Sequence, residues 1–225
     1  MAYARERIVI PELLEHASPE VARENLLDLV RINRFFGGYG ILGKIFAQFV
    51  RPDEEFSVLD IGSASGDMGA ELKRRYPRAR ITALDIIPVH LEKAPPPKLV
   101  GDAFALPFPP RSFDFVFNSL FLHHFSNAQI VKLLENFKDV ARRAVLAIDL
   151  ERGPLAYKFI PATAWLLGWH NISLHDGPVS VQAAFKKDEL LTLAQQAGLD
   201  HARVAIHRPW SRLSLVAPVN GNTLA

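Results

Sequence analysis

The sequence predicts an α/β fold in which helices cover both faces of a doubly wound, mostly parallel sheet. Three observations support this prediction. From about residue 56 onward, short apolar runs typical of buried strands alternate with helix-forming segments. A glycine-rich turn, containing Gly62 and Gly66, joins the first apolar run to the helix that follows it. Two later runs, 202–206 and 213–217, are close enough in sequence to pair as an antiparallel ribbon.

A helical unit is predicted before the sheet. Ser18 and Pro19 are typical of a helix N-cap and first helical residue, and a partly helical apolar pattern continues to about Phe36. A glycine pair then ends this helix, and a second, shorter helix is predicted over 41–50. We therefore assign residues 1–52 to an N-terminal helical cap or lid.

The remaining elements alternate as a doubly wound sheet requires. The predicted strands are 56–61, 80–84, 98–100, 113–117, 144–150, 202–206 and 213–217. The predicted helices are 67–76, a short one after Pro88, 126–142, 154–169 and 188–198. Seven strands in this order predict a Rossmann-like sheet with an antiparallel terminal strand. We assign 53–219 to this domain, with an inserted helical segment near 154–180, and 220–225 to a tail.

Composition narrows the class of protein. A chain of 225 residues with 49% hydrophobic and 22% charged residues is typical of a globular domain with a sizeable core. The formal net charge of +2 is too small to argue for a nucleic-acid partner. Without cysteine there are no disulfides or thiolate metal sites, and a reducing cytoplasm is compatible. We expect a cytoplasmic protein with no signal peptide, no integral membrane segment and no metal site.

The stretch Val58-Leu59-Asp60-Ile61-Gly62-Ser63-Ala64-Ser65-Gly66 carries the strongest functional signal. An apolar run that ends in an acid and continues into small residues is typical of a buried strand turning sharply into a helix at a nucleotide site. The helix N-terminus then directs unpaired N–H groups at the ligand. Asp85 ends the next strand about twenty residues later, the spacing expected for a carboxylate that binds a ribose diol. Together these features predict a nucleoside-containing cofactor.

These residues together resemble a class I S-adenosylmethionine-dependent methyltransferase of the methyltransferase-11 type, over about residues 56–217. Val58–Gly66 is similar to the first motif of that family. Gly101-Asp102-Ala103 is similar to the segment whose acid approaches the adenine amine. Leu122-His123-His124-Phe125 resembles a turn common in its small-molecule subgroup. The resemblance implies S-adenosyl-L-methionine as the cofactor and methyl transfer to a small molecule.

The resemblance also implies a set of cofactor-binding residues at the carboxyl ends of the strands. These residues are Asp60, Gly62, Ser63, Ala64, Gly66, Asp85, Ile86, Asp102, Ala103, Asn118 and Ser119. The alternatives are a dipole-stabilising acid for Asp60, a solvated strand end for Asp85 and simple turn chemistry for Asp102. Ala64 departs from the family's motif, which has glycine there. We expect the cofactor's approach to survive if φ at Ala64 is negative.

Three histidines are candidates for a general base. His123 and His124 follow the fourth strand, and His175 lies in a predicted loop between two apolar segments. A histidine at the transfer site could deprotonate a hydroxyl acceptor. The alternative for each is a structural or solvated role. Asp176 adjoins His175, but neighbouring residues rarely face each other, so we do not expect Asp176 to orient that imidazole.

Aromatic residues predict where an acceptor would bind. Phe159, Trp165 and Trp169 could form the wall of an apolar pocket, or could pack a helix on the sheet. Asn33 and Phe36 precede the glycine pair and could belong to a hinged lid, or simply mark the end of a helix. A narrower similarity to a bacterial biosynthetic subgroup suggests a phenolic or polyketide-like acceptor.

We therefore predict methyl transfer to a small aromatic or polyketide-like molecule, at oxygen in preference to carbon. We expect no nucleic-acid partner and allow for a homodimer. One alternative is a catalytically inactive S-adenosylmethionine-binding module, which Ala64 and the lack of an unambiguous base keep open. The other is a nicotinamide-dependent dehydrogenase. Because none of the four tyrosines has a lysine four residues later, the sequence disfavours a short-chain dehydrogenase.

Overall fold

The structure is a computed structural model that describes residues 6–219, so the predicted tail lies outside the described residues. The strands are β1 (Ser57–Ile61), β2 (Arg80–Asp85), β3 (Lys98–Val100), β4 (Phe113–Ser119), β5 (Ala141–Leu150), β6 (Arg203–His207) and β7 (Arg212–Pro218). The helices are α1 (Pro19–Phe35), α2 (Gly38–Phe46), α3 (Asp67–Arg75), α4 (Asn127–Val140), α5 (Pro154–Leu167), α6 (Asn171–Ala183) and α7 (Lys187–Gln196). Short 3₁₀ turns form at Leu13–His16, His90–Lys93 and Leu122–His124.

The strands form one sheet in the order β3-β2-β1-β4-β5-β7-β6. Every pairing is parallel except those of β7, which runs antiparallel to both β5 and β6. The predicted doubly wound sheet with an antiparallel terminal strand is therefore confirmed. The strand order reverses between β1 and β4, and ligands of such sheets bind in the crevice beyond the carboxyl ends at that point.

Both faces of the sheet are buried, which explains why β1, β4 and β5 read as nearly continuous apolar runs. On one face, α4 and α7 contribute Leu133, Phe137 and Leu190 to the larger core cluster. On the other, α2 packs Phe46 against the Phe115 ring of β4, with centroids 5.4 Å apart. No helix within residues 6–219 is both long and apolar enough to cross a membrane.

The segment that was predicted to hold His175 in a loop is helix α6. The prediction was wrong because Gly177 and Pro178 are helix breakers in isolation. Here α6 packs along α5, and a Cβ at Gly177 would lie 2.5 Å from Cδ1 of Ile160. Tertiary packing that requires a glycine at this contact overrides the local propensity. The short helix after Pro88 is likewise only a 3₁₀ turn.

Residues 6–17, which we call the N-terminal strap, cross from α6 to the 3₁₀ turn after β4. Arg7 donates to the backbone oxygens of Ala183, His123 and Phe125 at 2.6–3.0 Å. Farther along, the amides of residues 13 and 14 both donate to the Asp176 carboxylate of α6 at 3.0 Å. The strap is therefore fixed at two points, and it closes over the carboxyl edge of the sheet.

Candidate active site

A cavity of about 1090 Å³ lies between the carboxyl edge of the sheet, the strap, α1, α5 and α6. We distinguish two ends of it. The glycine-turn end is lined by Asp60, Gly62, Ser63, Ala64, Asp67, Asp85, Ile86, Asp102, Ala103 and Ser119. The histidine end is lined by Glu12, Asn33, Phe36, His123, His124, Phe159, Asp176 and Ser180. The two ends therefore combine strand termini with residues of the N-terminal cap and the inserted helices.

The glycine turn after β1 needs its glycines for conformation and for space. Gly62 has a φ of +64°, and a Cβ there would overlap the ring of Phe121. Gly66 has a φ of +71° and caps α3, and a Cβ there would lie 2.8 Å from Cβ of Ala94. Gly66 itself is not among the described residues that line the cavity. Its role is to let the backbone turn into α3.

Ala64 is in the left-handed region, with a φ of +48°, so the condition of a negative φ, under which cofactor approach was expected to survive, is not met. The turn requires this conformation, and an L-residue pays roughly 1–3 kcal/mol to adopt it. The Ala64 amide donates to Oδ2 of Asp85 at 3.1 Å, which helps to fix the strained residue. Ala64 lines the cavity at the position where the family's motif has glycine.

Three acidic side chains gather at this end of the cavity. Asp60 is only 2% exposed, and its Oδ2 has no hydrogen-bond partner among the described residues. Burial, followed by the negative charges of Asp67 and Asp85, raises the pKa of Asp60 well above its usual range. Burial also raises the pKa of Asp67, although Asn33 and Tyr39 donate hydrogen bonds to it. This end of the cavity is therefore suited to a cationic ligand group.

Further polar atoms near the glycine turn also lack hydrogen-bond partners within residues 6–219. They are Oγ of Ser63, Oγ of Ser119 and both amide atoms of Asn118. Buried polar groups are normally hydrogen-bonded, so these atoms are suited to a ligand or ordered water. Asn118 is fully buried at the end of β4 and, unlike the two serines, is not among the described residues that line the cavity.

The two strand-end aspartates differ in their surroundings. Asp85 is buried at the end of β2, accepts from the Ile87 amide at 3.0 Å, and lies 3.4 Å from Nδ1 of His90. Asp102 is exposed and accepts from the Phe104 amide at 2.8 Å, which is the simple turn chemistry considered above. Both line the cavity, as do the predicted residues Ile86 and Ala103.

At the histidine end, His123 lies between two carboxylates. Its Nδ1 is 2.6 Å from Oδ1 of Asp149, the penultimate residue of β5, and its Nε2 is 3.5 Å from Oε1 of Glu12 on the strap. Burial alone lowers the pKa of His123, but Asp149 and Glu12 outweigh it and raise that pKa to about 10. Burial raises the pKa of Glu12, but His123, His124 and Ser180 outweigh burial and lower that pKa to about 2. The ion pairs thus bind the strap to β5.

The other two candidate histidines occupy different surroundings. The ring of His124 is partly exposed, lines the cavity and stacks on His123, with centroids 4.4 Å apart. His175 is not among the described lining residues, and its side chain is 48% exposed. Contrary to expectation, its Nδ1 lies 2.8 Å from Oδ1 of Asp176. Asp176 faces the strap from the middle of α6, and its Oδ1 is within reach of the imidazole of the preceding residue.

The predicted aromatic residues also differ in whether they line the cavity. Phe36 and Phe159 meet edge to face at 4.9 Å and line the cavity, as does Asn33, whose amide donates to Asp67. Trp169 is buried behind Phe36 and is not among the described lining residues. Trp165 is 85% exposed, so the pocket-wall prediction fails for it. It lies six positions after Phe159, roughly 120° around the helix, and faces away from the cavity.

Sequence reasoning missed Glu12, Asp149 and Arg7, and it wrongly decided against a contact between Asp176 and His175. Asp149 lies near the end of a predicted strand, and the rule that placed Asp60 and Asp85 could have found it. Glu12 carried no such signal, because the strap contributes it across more than a hundred residues of sequence. The same holds for Arg7, which reaches three separate backbone oxygens.

Comparison with known families finds a similarity to methyltransferases over part of the chain. A family model described as a methyltransferase domain matches residues 58–144. The demethylmenaquinone methyltransferase of Thermotoga maritima is 34% identical over 102 residues, which cover 43% of this chain and 44% of that protein. The malonyl-[acyl-carrier protein] O-methyltransferase of Halorhodospira halophila is 38% identical over 73 residues, 29% of this chain and 25% of that protein. The matches thus span less than half the length of these relatives.

A solved structure extends the similarity to the whole fold. The plantazolicin methyltransferase BpumL in complex with SAH (S-adenosylhomocysteine) superposes with a TM-score of 0.65, at 13% sequence identity. The match covers 88% of this chain and 89% of that one. At this level of identity the similarity establishes the shared fold.

Proposed function

We propose that this chain is a class I S-adenosylmethionine-dependent methyltransferase and that it methylates a small aromatic or polyketide-like acceptor at oxygen. One observation supports this proposal above the others. A single cavity joins an acidic end, suited to a cationic cofactor, to an end that carries two aromatic rings and two histidines. Methyl transfer depends mainly on alignment of the acceptor with the methyl group. It therefore requires a cofactor site directly beside an acceptor site.

The glycine-turn end fits S-adenosylmethionine. The cofactor carries an ammonium and, when bound, supplies an activated methyl on a positively charged sulfur. Asp60, with Asp67 behind it, offers a buried negative potential for these cations. Asp85 holds the ribose hydroxyls with the lone pairs that its backbone contacts leave available. The unpartnered hydroxyls of Ser63 and Ser119 supply further hydrogen bonds.

The histidine end holds the acceptor. Phe36 and Phe159 form an aromatic wall suited to a flat ring, and residues of the strap and α1 line the same cavity. His123 and His124 follow β4 and lie beside the acceptor oxygen. Because His123, with a pKa of about 10, is already protonated at neutral pH, His124 is the histidine of this pair that accepts the acceptor's proton. His175 remains a weaker candidate, since its half-exposed imidazole bonds to Asp176 and is not among the described residues that line the cavity.

The relatives' names agree with this assignment in part. One names demethylmenaquinone as the acceptor, and the other specifies O-methylation of a malonyl carrier protein. An aromatic-lined cavity and a histidine pair favour a ring-bearing hydroxyl as the acceptor here. The cytoplasmic location and the homodimer stay predictions.

The test is transfer of labelled methyl from S-adenosylmethionine to a panel of phenols and hydroxyquinones. We expect product with at least one phenolic acceptor. His123→Ala, His124→Ala and the double variant should each be compared with His175→Ala. A group that handles the acceptor proton typically contributes about 10²–10⁴-fold, so one of the first three should lose at least a hundredfold in rate.

Two outcomes would overturn this function. Binding of S-adenosylhomocysteine without transfer to any acceptor would favour the inactive cofactor-binding module. Turnover that survives in all four variants, including the double variant, would exclude these three histidines from the chemistry. The double variant matters because neighbouring imidazoles can replace each other.

A further inference from the structure

Glu12, His123 and His124 form a compact set of metal-ligating side chains at the histidine end. Each offers one ligand atom, and these atoms all lie within 4.8 Å of one another. Nε2 of His123 and Oε1 of Glu12 are 3.5 Å apart. Two ligands of a tetrahedral ion with bonds of about 2.1 Å are separated by about 3.4 Å. The spacing of this pair therefore matches ligands that share an ion.

The contacts behind these ligands are those that a metal site requires. Ligating histidines usually donate their other ring N–H to a carboxylate, which fixes the tautomer and the orientation of the ring. Nδ1 of His123 makes this contact with Asp149 at 2.6 Å, so Nε2 is the nitrogen directed at Glu12. The Glu12 carboxylate is held in turn by the hydroxyl of Ser180.

The set also leaves room for a further ligand. All three side chains line the cavity, so at least one coordination position would face the acceptor. Three protein ligands with one open position are the arrangement of catalytic zinc sites, including those built from two histidines and a glutamate. Imidazole and carboxylate together suit divalent first-row metals.

We propose that Glu12, His123 and His124 bind a divalent transition-metal cation of the Zn²⁺ class, with Asp149 and Ser180 as supporting contacts. The expectation of no metal site took account of thiolates and could not include Glu12, which only the fold brings to the histidines. This inference deepens the proposed function by giving the histidine pair a definite role. The cation would replace the proton that His123 holds between Asp149 and Glu12. At its open position it would favour ionisation of the acceptor hydroxyl: the O–H bond would break, the electron pair would stay on the oxygen, and the proton would pass to solvent instead of to His124.

The test uses the full chain after removal of metal by a chelator. Calorimetric titration with Zn²⁺ should show one ion per chain, and Co²⁺ should give the visible absorption bands of a tetrahedral site. Glu12→Gln and His124→Ala should each weaken Zn²⁺ binding at least tenfold and abolish those bands. His201→Ala is the matched control, because His201 is an exposed histidine far from β4 in sequence, and it should bind Zn²⁺ as the unaltered protein does.

Two results would overturn the metal site. If the unaltered chain binds neither ion, the cluster is an ion pair only. If Zn²⁺ binds but neither Glu12→Gln nor His124→Ala weakens it, the ion lies elsewhere. His124→Gln serves as a second variant in case alanine disturbs the fold. Titration of the same samples with S-adenosylhomocysteine separates this inference from the proposed function, since cofactor binding without metal binding would overturn the metal site alone.

Discussion

The two ends of the cavity differ in how their buried charges are balanced. At the glycine-turn end, one oxygen of the Asp60 carboxyl has no partner within residues 6–219, and burial, followed by the charges of Asp67 and Asp85, raises the pKa of this carboxyl. At the histidine end, His123 lies between Asp149 and Glu12, and the three groups stabilise each other's charged forms. The acids of the glycine-turn end are thus suited to an incoming cation, whereas the charged groups of the histidine end already pair with each other.

This difference shows what each end contributes to stability and to binding. Buried groups without partners cost stability, and a ligand that satisfies them recovers that cost on binding. A paired buried cluster instead becomes costly when one member is removed. Substitutions at the glycine-turn end should therefore change ligand affinity most, and those at the histidine end should change folding as well.

The largest effect should follow the substitution Asp149→Ala at the histidine end. It removes the closest partner of a fully buried His123, and breaking a buried pair typically costs about 3–5 kcal/mol. Urea unfolding monitored by circular dichroism measures the loss. Asp200→Ala, at an exposed aspartate, is the control and should lie within about 0.5 kcal/mol of the unaltered protein. A loss below 1 kcal/mol for Asp149→Ala would show that the cluster does not hold the fold together.

The second effect concerns Asp85 at the glycine-turn end. Charge-assisted contacts to a ribose diol are worth about 1.5–3 kcal/mol, so Asp85→Ala should weaken S-adenosylhomocysteine binding at least tenfold. Because Asp85 also accepts from the Ala64 and Ile87 amides, Asp85→Asn is the better-folded companion variant. Isothermal titration of both variants gives the affinities. An unchanged dissociation constant would identify Asp85 as a turn-forming residue only.

The third effect depends on pH and arises from Asp60. Its pKa is raised in the folded state by burial and by its acidic neighbours. Ionisation is therefore easier in the unfolded chain, where the carboxyl titrates near about pH 3.9, and stability falls as pH rises above that value. Asp60→Asn lacks this titration. It should unfold at a higher temperature than the unaltered protein at pH 8, and the difference should vanish below about pH 4.

Thermal scans across this pH range measure the effect of Asp60→Asn, with cofactor absent. A difference in melting temperature that stays constant from pH 3 to pH 8 would mean that the Asp60 carboxyl is not strained. The same variant should bind S-adenosylhomocysteine less tightly, since it removes negative charge near the expected ammonium position.

How far each end could be predicted from the sequence follows the same division. The glycine-turn end comes from strands and turns within residues 58–119, and the rule that ligands bind at strand ends identifies Asp60 and Asp85. Ala64 shows the limit of that rule, because the sequence pattern does not specify the sign of its φ. The conformation of the turn depends on steric contacts within the folded loop, which the sequence pattern does not describe.

The histidine end could be predicted only in part. The pair His123-His124 was found because it follows β4 directly. Glu12 was not, since the strap reaches it only through contacts such as the amides that donate to Asp176. Helix α6 was missed because Gly177 reads as a breaker when its packing against α5 is unknown. Sites assembled from distant segments lack the local spacing from which sequence patterns derive their information.

The smallest expected effect distinguishes two aromatic residues of α5. Phe159→Ala removes part of the acceptor wall and should raise the KM for the acceptor several-fold. Trp165→Ser alters an exposed side chain and should change stability by no more than about 0.5 kcal/mol, with KM unchanged. Steady-state kinetics on the two variants tests the orientation of the helix. Equal effects on KM would mean that α5 presents a different face to the acceptor.

Cofactor binding to the unaltered chain tests the central claim most directly. Parallel calorimetric titrations with S-adenosylhomocysteine and with NAD compare the methyltransferase assignment with its dehydrogenase alternative on one sample. We predict one S-adenosylhomocysteine bound per chain, with NAD binding far more weakly. Tight binding of NAD without binding of S-adenosylhomocysteine would contradict the assignment.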